Sequence, residues 1–206
     1  MNMLDSGQPD WDKGGGLLPA IVQDARSGRV LMLGWMNREA LARTRQSGKV
    51  TFFSRSRQRL WTKGETSGNL LFLSDLDIDC DADSILVRAV PQGATCHTGA
   101  VSCFGASAQP AFAFLADLDA LIAQRERDRT AGSYTTALFE SGLRRCAQKV
   151  GEEGVEAALA GASGEAAELL DEASDLVFHL LVLLRARGLS LADVVARLAA
   201  RHTAAK

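Results

Sequence analysis

Cysteine, histidine and long apolar runs are all scarce in this sequence of 206 residues. Four cysteines are too few for a disulfide scaffold, which leaves metal ligands, catalytic thiols or buried small side chains as their roles. The longest apolar stretch, 176–184, is interrupted by His179 and is far shorter than the roughly 20 residues that span a bilayer. Because the first residues also lack the basic and apolar regions of a signal peptide, we expect a cytoplasmic protein.

An excess of charge of one sign is missing too. The 23 basic and 25 acidic side chains leave a formal net charge of −2, which argues against binding to nucleic acid or an anionic membrane through bulk charge. The hydrophobic fraction of 47% indicates a globular protein with a substantial core. We therefore expect small-molecule partners, no nucleic acid and no membrane.

The two halves of the sequence have different periodicities. Residues 17–104 alternate short β-rich runs with turn signals and include one predicted helix, 38–46, which Asn37 caps. After about residue 115 the pattern is helical. Helices are predicted around 118–122, over 135–160 and 165–186, and after a capping Ser190.

This organisation predicts two domains. The first, 1–112, is a strand-rich α+β domain that ends in a linker at about 105–112, a stretch of small residues with one proline. The second, 113–206, is an all-α helical bundle.

Three alternating aspartates and three cysteines form the first candidate site. If the segment 79–83 is extended, Asp79, Asp81 and Asp83 share one face and Cys80 points to the other. Three carboxylates suit Mg²⁺, whereas thiolates from Cys80, Cys96 and Cys103 would suit zinc in an open site. A solvated edge strand and core cysteines explain the same residues. His97 is a possible fourth ligand, general base or ordinary polar residue.

A basic segment follows the aromatic run at 52–53. In a strand, Arg55, Arg57 and Arg59 would share one face, and the next loop, 63–69, combines a lysine, two glycines and two hydroxyls. Such a loop could bind an anion, which predicts a phosphate-bearing small molecule as ligand. A solvated edge strand and a nucleic-acid patch are the alternatives, and the net charge makes the patch the weaker one.

Acidic side chains form stripes on two of the predicted helices. The members are Glu152, Glu153, Glu156, Glu172 and Asp175. Like charges at this spacing destabilise a helix unless something neutralises them, so facing acidic helices are a plausible way to hold Mg²⁺. A solvated helix face is the simpler explanation. His179 continues the second stripe by one turn, and a core or interface histidine explains it equally well.

Motifs in the first half resemble the phosphoribosyl-AMP cyclohydrolases of histidine biosynthesis. They are LGWMNREAL (33–41), SRSRQRLWTKGETSGN (54–69), DCDAD (79–83) and CHTGAVSCF (96–104). The resemblance implies that Cys80, Cys96 and Cys103 bind Zn²⁺ and that Asp79, Asp81 and Asp83 bind Mg²⁺. It also implies a homodimer whose subunits share the zinc site. Opening of an adenine ring by zinc-activated water would follow, with His97 moving protons and with phosphates bound by Arg55, Arg57, Lys63, Thr66 and Ser67.

Motifs in the second half resemble the phosphoribosyl-ATP pyrophosphatases, which are all-α nucleoside triphosphate pyrophosphohydrolases. They are GSYT (132–135), KVGEEGVE (149–156) and EASDLVFHLLVLL (172–184). The resemblance implies Mg²⁺ binding by Glu152, Glu153, Glu156, Glu172 and Asp175, with Glu153 and Glu156 as catalytic candidates. Lys149 and either Arg144 or Arg145 could contact phosphate.

The two implied reactions are consecutive, so the chain resembles a bifunctional ATP- and nucleotide-binding hydrolase of histidine biosynthesis. Two rival hypotheses remain. One is an enzyme with a single active domain, whose helical half hydrolyses non-canonical nucleotides. The other is a zinc-stabilised module fused to a helical dimerisation domain, without catalysis.

Overall fold

Two units make up the chain in the computed structural model, Met1–Phe114 and Leu115–Lys206. The structure describes residues 8–105, 110 and 112–203. Of the predicted linker, residues 106–109 and 111 lie outside the described part. The strand-rich first half and the helical second half are confirmed, and no helix within the described ranges is long and apolar enough to cross a membrane.

The described residues of the first unit form six strands and one helix. They are β1 (Leu18–Asp24), β2 (Val30–Met36), α1 (Arg38–Ser47), β3 (Thr51–Ser54), β4 (Arg59–Thr62), β5 (Leu71–Ile78) and β6 (Ile85–Pro91). Four strands form a sheet in the order β2-β1-β6-β5, in which β1 and β6 run parallel and the other pairs antiparallel. Asn37 caps α1 by accepting a hydrogen bond from the Ala40 amide, as predicted.

Alternation of side chains along the strands builds the core of this unit. Leu18, Ala20 and Val22 of β1 are fully buried, and the register sets Ala20 beside Ile85 and Val22 beside Val87 of β6. Burial of these side chains is the main stabilising term for the sheet.

Strands β3 and β4 form a separate antiparallel hairpin that packs beside β2. The buried ring of Phe52 lies so close to Gly34 of β2 that a Cβ there would stand 2.3 Å from the ring. On the other side, the Phe52 and Trp61 ring centroids are 5.0 Å apart. Gly34 therefore lets the hairpin approach the sheet closely enough to shape the cleft described below.

Over 113–203 the chain forms five helices, the first of which begins two residues before the boundary of the second unit. They are α2 (Ala113–Asp128), α3 (Tyr134–Glu140), α4 (Leu143–Ser163), α5 (Ala166–Ala186) and α6 (Leu191–Thr203). Its buried core consists of Ile122, Leu138, Cys146, Leu181 and Val182, so Cys146 is a core thiol. Helices α4 and α5 make the most extensive contact in the unit.

One predicted helix is wrong. The segment 135–160 is two helices, because Gly142 adopts a left-handed conformation with φ of 84° and breaks the chain direction between α3 and α4. The last helix begins as predicted at Ser190, whose amide donates to Asp193 Oδ2 at 2.8 Å in a reciprocal cap.

Candidate active sites

A cleft of about 570 Å³ opens in the first unit between the β3–β4 hairpin and two loops, 63–69 and 94–103. Glycines shape the first loop. A Cβ at Gly64, whose φ is 84°, would lie 2.3 Å from the Asn69 carbonyl oxygen, and one at Gly93 would lie 2.4 Å from Asn69 Oδ1. Only glycines allow the loop to fold this tightly, which holds its polar side chains along one wall of the cleft.

The second loop brings two cysteines to the cleft, Cys96 and Cys103. Strand β2 positions this loop, because the Cys103 amide donates to the Leu31 carbonyl at 2.8 Å and Ser102 Oγ donates to the Val30 carbonyl at 2.7 Å. The two thiols interact with one another. A pair of thiols in one polar cleft fits a soft divalent metal ion such as zinc.

Electrostatics differ between the two thiols. The Thr98 hydroxyl donates to Cys96 Sγ at 3.1 Å and lowers the pKa of that thiol. Burial raises the pKa of Cys103, and the neighbouring Cys96 adds to the effect. Thr98 did not stand out in the sequence, although its place two residues after Cys96 in CHTG could have indicated a hydroxyl beside the thiolate.

His97 is exposed at the same cleft, with Nδ1 3.8 Å from Cys96 Sγ. Cys80 is also exposed, but it does not line the cleft. Within the described part of the chain, the groups of three possible metal ligands lying within 4.8 Å of one another are two carboxylate clusters, and neither contains a cysteine. A single copy of the chain therefore brings together two of the three predicted zinc ligands.

The first carboxylate cluster is Asp79, Asp81 and Asp83, as the sequence motif predicts. The predicted extended conformation is wrong, because 80–83 form a turn in which Ala82 has φ of 66°. Asp79 Oδ1 accepts hydrogen bonds from the amides of Asp83 and Ser84, which closes the turn and lowers the pKa of Asp79. The turn, rather than strand alternation, is what gathers the three carboxylates.

A cation already lies beside this cluster. Lys13 Nζ is 3.2 Å from Asp81 Oδ2, and the amide of Asp10, three residues earlier, donates to the Ala82 carbonyl at 2.7 Å. The hydrogen bond to Asp81 raises the pKa of Lys13. Clustered hard oxygen ligands that attract an ammonium group fit a hard divalent cation such as Mg²⁺.

The arginine-rich segment does not form the predicted alternating strand. Residues 55–58 are the turn of the hairpin, with Gln58 at φ of 49°, so the three arginines do not share a strand face. Arg55 lies 4.3 Å over the Trp35 ring, whereas Arg57 lines the cleft. Lys63, Thr66 and Ser67 line the cleft as well. Arg59 is exposed at the start of β4.

The second carboxylate cluster joins two helices of the helical unit. Glu153 and Glu156 of α4 and Glu172 of α5 offer oxygens within 4.8 Å of one another. Glu153 is 4% exposed, which is rare for a carboxylate unless it is paired. Desolvation and the other carboxylates raise the pKa of Glu172, so this cluster also fits a hard divalent cation.

The remaining acidic candidates lie outside this cluster. Glu152 contacts Lys149, Arg145 and Gln148, with Arg145 Nη1 and Gln148 Nε2 at 3.1 and 2.8 Å from its Oε1. Asp175 is exposed on α5. Arg144 is exposed one position before Arg145.

Lys149 and His179 flank Glu153. Lys149 Nζ pairs with Glu153 Oε1 and lies 3.1 Å from Glu152 Oε2, and these contacts lower the pKa of both glutamates. His179 is 4% exposed, with Nε2 3.7 Å from the same Glu153 oxygen and 3.4 Å from the Tyr134 hydroxyl. Tyr134 was not singled out from sequence, although it belongs to the GSYT motif.

Comparisons with known proteins match both units. The phosphoribosyl-AMP cyclohydrolase family matches residues 32–105, and the phosphoribosyl-ATP pyrophosphohydrolase family matches residues 115–202. Proteins named histidine biosynthesis bifunctional protein HisIE are similar over nearly the whole chain. The one from Xanthomonas campestris pv. campestris is 64% identical over 94% of this chain and 92% of its own length. The one from Xanthomonas axonopodis pv. citri is 60% identical over 98% of both chains, and the one from Photobacterium profundum is 52% identical over 94% of this chain and 96% of its own.

Proposed function

Because the chain belongs to the bifunctional family that joins a phosphoribosyl-AMP cyclohydrolase to a phosphoribosyl-ATP pyrophosphohydrolase in histidine biosynthesis, we propose that it catalyses two consecutive hydrolyses. The helical unit releases pyrophosphate from phosphoribosyl-ATP. The strand-rich unit then adds water to C6 of the adenine ring of phosphoribosyl-AMP, breaks the N1–C6 bond and leaves the proton on N1.

The carboxylate cluster of Glu153, Glu156 and Glu172 carries the proposal for the helical unit. Mg²⁺ held by these side chains, with Asp175 at its edge, would offset the charge of the triphosphate. Lys149 keeps the buried Glu153 ionised, because their ion pair lowers the pKa of the glutamate. Glu153 and Glu156 are the candidates for orienting the attacking water and accepting its proton. Glu152, turned toward Arg145, has a supporting role.

The cleft that joins Cys96, Cys103 and His97 carries the proposal for the strand-rich unit. When bound by the cysteines, zinc lowers the pKa of a coordinated water from about 15.7 to about 7. His97 is the candidate for transferring the proton to N1. Arg57, Lys63, Thr66 and Ser67 line the same cleft and can bind the phosphate groups, whereas Arg55 stacks on Trp35 and supports the hairpin turn. Mg²⁺ at the aspartate turn would assist phosphate binding.

A homodimer is part of the proposal. Cys80 lies outside the cleft of its own chain, so a second copy of the chain is the natural source of the third thiol. The helical unit also exposes large apolar side chains, among them Val155, Leu159 and Leu170, each at least 60% exposed. Contact between two copies would remove this apolar surface from water.

The experiment supplies the purified chain with phosphoribosyl-ATP, Zn²⁺ and Mg²⁺, and follows pyrophosphate and the ring-opened product separately. The variant Cys103→Ala should stop at phosphoribosyl-AMP, and Glu153→Gln should release no pyrophosphate yet still open the ring of added phosphoribosyl-AMP. Cys146→Ala is the control for Cys103→Ala, since Cys146 is a core thiol of the other unit.

Each rival hypothesis has its own outcome. Release of pyrophosphate without ring opening would mean that only the helical unit is active, as the hypothesis of a single active domain predicts. A protein that forms neither product with both metals present would favour the non-catalytic module.

A further inference from the structure

We propose that His179, held in place by Tyr134, is a positioning residue that fixes the carboxylate of Glu153 so that Oε2 is presented to a divalent cation. The inference deepens the proposed pyrophosphohydrolase function and rests on it. His179 lies on α5, two turns after Glu172.

The first observation is the sharing of one oxygen. Lys149 Nζ and His179 Nε2 both contact Oε1 of Glu153. Two groups on one oxygen fix the rotation of the carboxylate about its terminal bond. Neither contact involves Oε2, so it is the oxygen that we assign to an ion bound together with Glu156 and Glu172.

The second observation is the environment of the imidazole. His179 is 4% exposed and is packed edge-on against two rings, with its centroid 5.2 Å from that of Phe178 and 5.9 Å from that of Tyr134. Rings at these distances allow little reorientation, so the position of Nε2 is defined by packing. Tyr134 comes from α3, which means that a third helix supports a contact between α4 and α5.

The third observation concerns the proton. Nδ1 is buried and has no hydrogen-bond partner among the described residues, whereas Nε2 faces the Tyr134 hydroxyl and the Glu153 carboxylate, which can both accept. A buried lone pair without a partner costs less than a buried N–H without one, so we assign the proton to Nε2. The imidazole N–H therefore faces the Tyr134 hydroxyl at 3.4 Å and the Glu153 carboxylate at 3.7 Å.

The test compares three variants in the full-length protein. His179→Gln keeps an N–H near the position of Nε2, His179→Leu removes it, and Tyr134→Phe removes the supporting hydroxyl while keeping the ring. Binding of Mn²⁺, a spectroscopic substitute for Mg²⁺, is measured by electron paramagnetic resonance without substrate. The Mg²⁺ dependence, kcat and KM of pyrophosphate release are measured beside it.

His179→Leu should weaken Mn²⁺ binding and raise the half-saturating Mg²⁺ concentration by about 10-fold to 100-fold, the usual effect of losing an outer partner of a metal ligand. His179→Gln should recover most of this loss, and Tyr134→Phe should show a smaller loss of the same kind. KM for the nucleotide at saturating Mg²⁺ should change little.

Several outcomes would overturn the inference. The first is unchanged Mn²⁺ binding in His179→Leu, and the second is an equal loss of Mn²⁺ affinity in the Leu and Gln variants. The third is a loss of Mn²⁺ affinity that correlates with the melting temperature of the helices and not with the presence of an N–H donor. Failure of the wild-type protein to release any pyrophosphate would refute the proposed function, whereas pyrophosphate release by His179→Leu with the wild-type dependence on Mg²⁺ concentration would refute the positioning role alone.

Discussion

The two carboxylate clusters bring three acidic side chains together in different ways. In the strand-rich unit, Asp79, Asp81 and Asp83 are adjacent in sequence and a tight turn gathers them at the surface. In the helical unit, Glu153, Glu156 and Glu172 come from two helices, and one of them is buried beside a lysine and a histidine. The local cluster needs only its own turn, whereas the helical one depends on packing between helices.

A similar contrast separates the metal chemistry of the two units. The cleft of the strand-rich unit offers sulfur ligands, and the helical unit offers only oxygen ligands from its cluster. Each predicted reaction should therefore depend on a different metal ion.

Selective metal removal should give the largest effect. A zinc-selective chelator should reduce ring opening by at least about 100-fold, because the activation of water by zinc is worth several kcal/mol, while pyrophosphate release continues with Mg²⁺. Removing Mg²⁺ should stop pyrophosphate release. Pyrophosphate release is measured with phosphoribosyl-ATP and ring opening with added phosphoribosyl-AMP, and each metal is then added back singly. Recovery of both activities by one metal would contradict the distinction.

A substitution at Gly34 should produce the next largest effect, confined to the strand-rich unit. In Gly34→Ala the new methyl group meets the Phe52 ring at 2.3 Å, and overpacking of this kind costs about 1–3 kcal/mol. Trp11, Trp35 and Trp61, the three tryptophans of the chain, all lie in this unit. Denaturation followed by tryptophan fluorescence should therefore show the loss.

The matched change in the helical unit should have the opposite sign. Gly151 lies inside α4, and a Cβ there would meet nothing within 4 Å. Gly151→Ala should stabilise the helices by up to about 1 kcal/mol, because alanine loses less backbone freedom than glycine in a helix. Circular dichroism at 222 nm reports mainly on the helices and should show a higher midpoint. A lower midpoint would mean that the methyl group meets a second copy of the chain.

The features that could be predicted from sequence also differ between the two clusters. The helical period places Glu153 and Glu156 on one face without knowledge of the fold, and the motif places Glu172 one helix later. The turns at 55–58 and 80–83 could not be predicted, because non-glycine residues in left-handed conformations, Gln58 and Ala82, form them. Alternation favoured strands in both places, whereas local hydrogen bonds of side chains to the backbone close turns there.

The contacts of His179 could not be predicted from the sequence, for another reason. Its stripe position was visible, but the oxygen that it contacts and the ring that supports it depend on the break at Gly142, which places Tyr134 on a separate helix. Prediction of a continuous helix over 135–160 concealed this arrangement.

The smallest expected effects are changes in stability with pH, and they differ in sign between the two units. The Arg88 hydrogen bond lowers the pKa of Asp75 from its unfolded value of 3.8. The contribution of Asp75 to stability is therefore present above pH 3.8 and is lost as the pH falls through the pKa of the folded state. Desolvation raises the pKa of Glu172 above 4.5, so its contribution is full below 4.5 and is lost as the pH rises through the folded pKa.

Arg88→Met should therefore lower the fluorescence midpoint at pH 7 by more than at pH 3, and Glu172→Gln should raise the helical midpoint at pH 7 but not at pH 4. Both are measured with chelator present, so that bound metal does not stabilise the wild-type cluster. Asp171→Asn, an exposed change on the same helix as Glu172, is the control and should shift neither midpoint. If Glu172→Gln were instead less stable than the wild type at pH 7, the ionised glutamate would stabilise α5 even without a metal. Repulsion among the three carboxylates would then not destabilise the metal-free cluster.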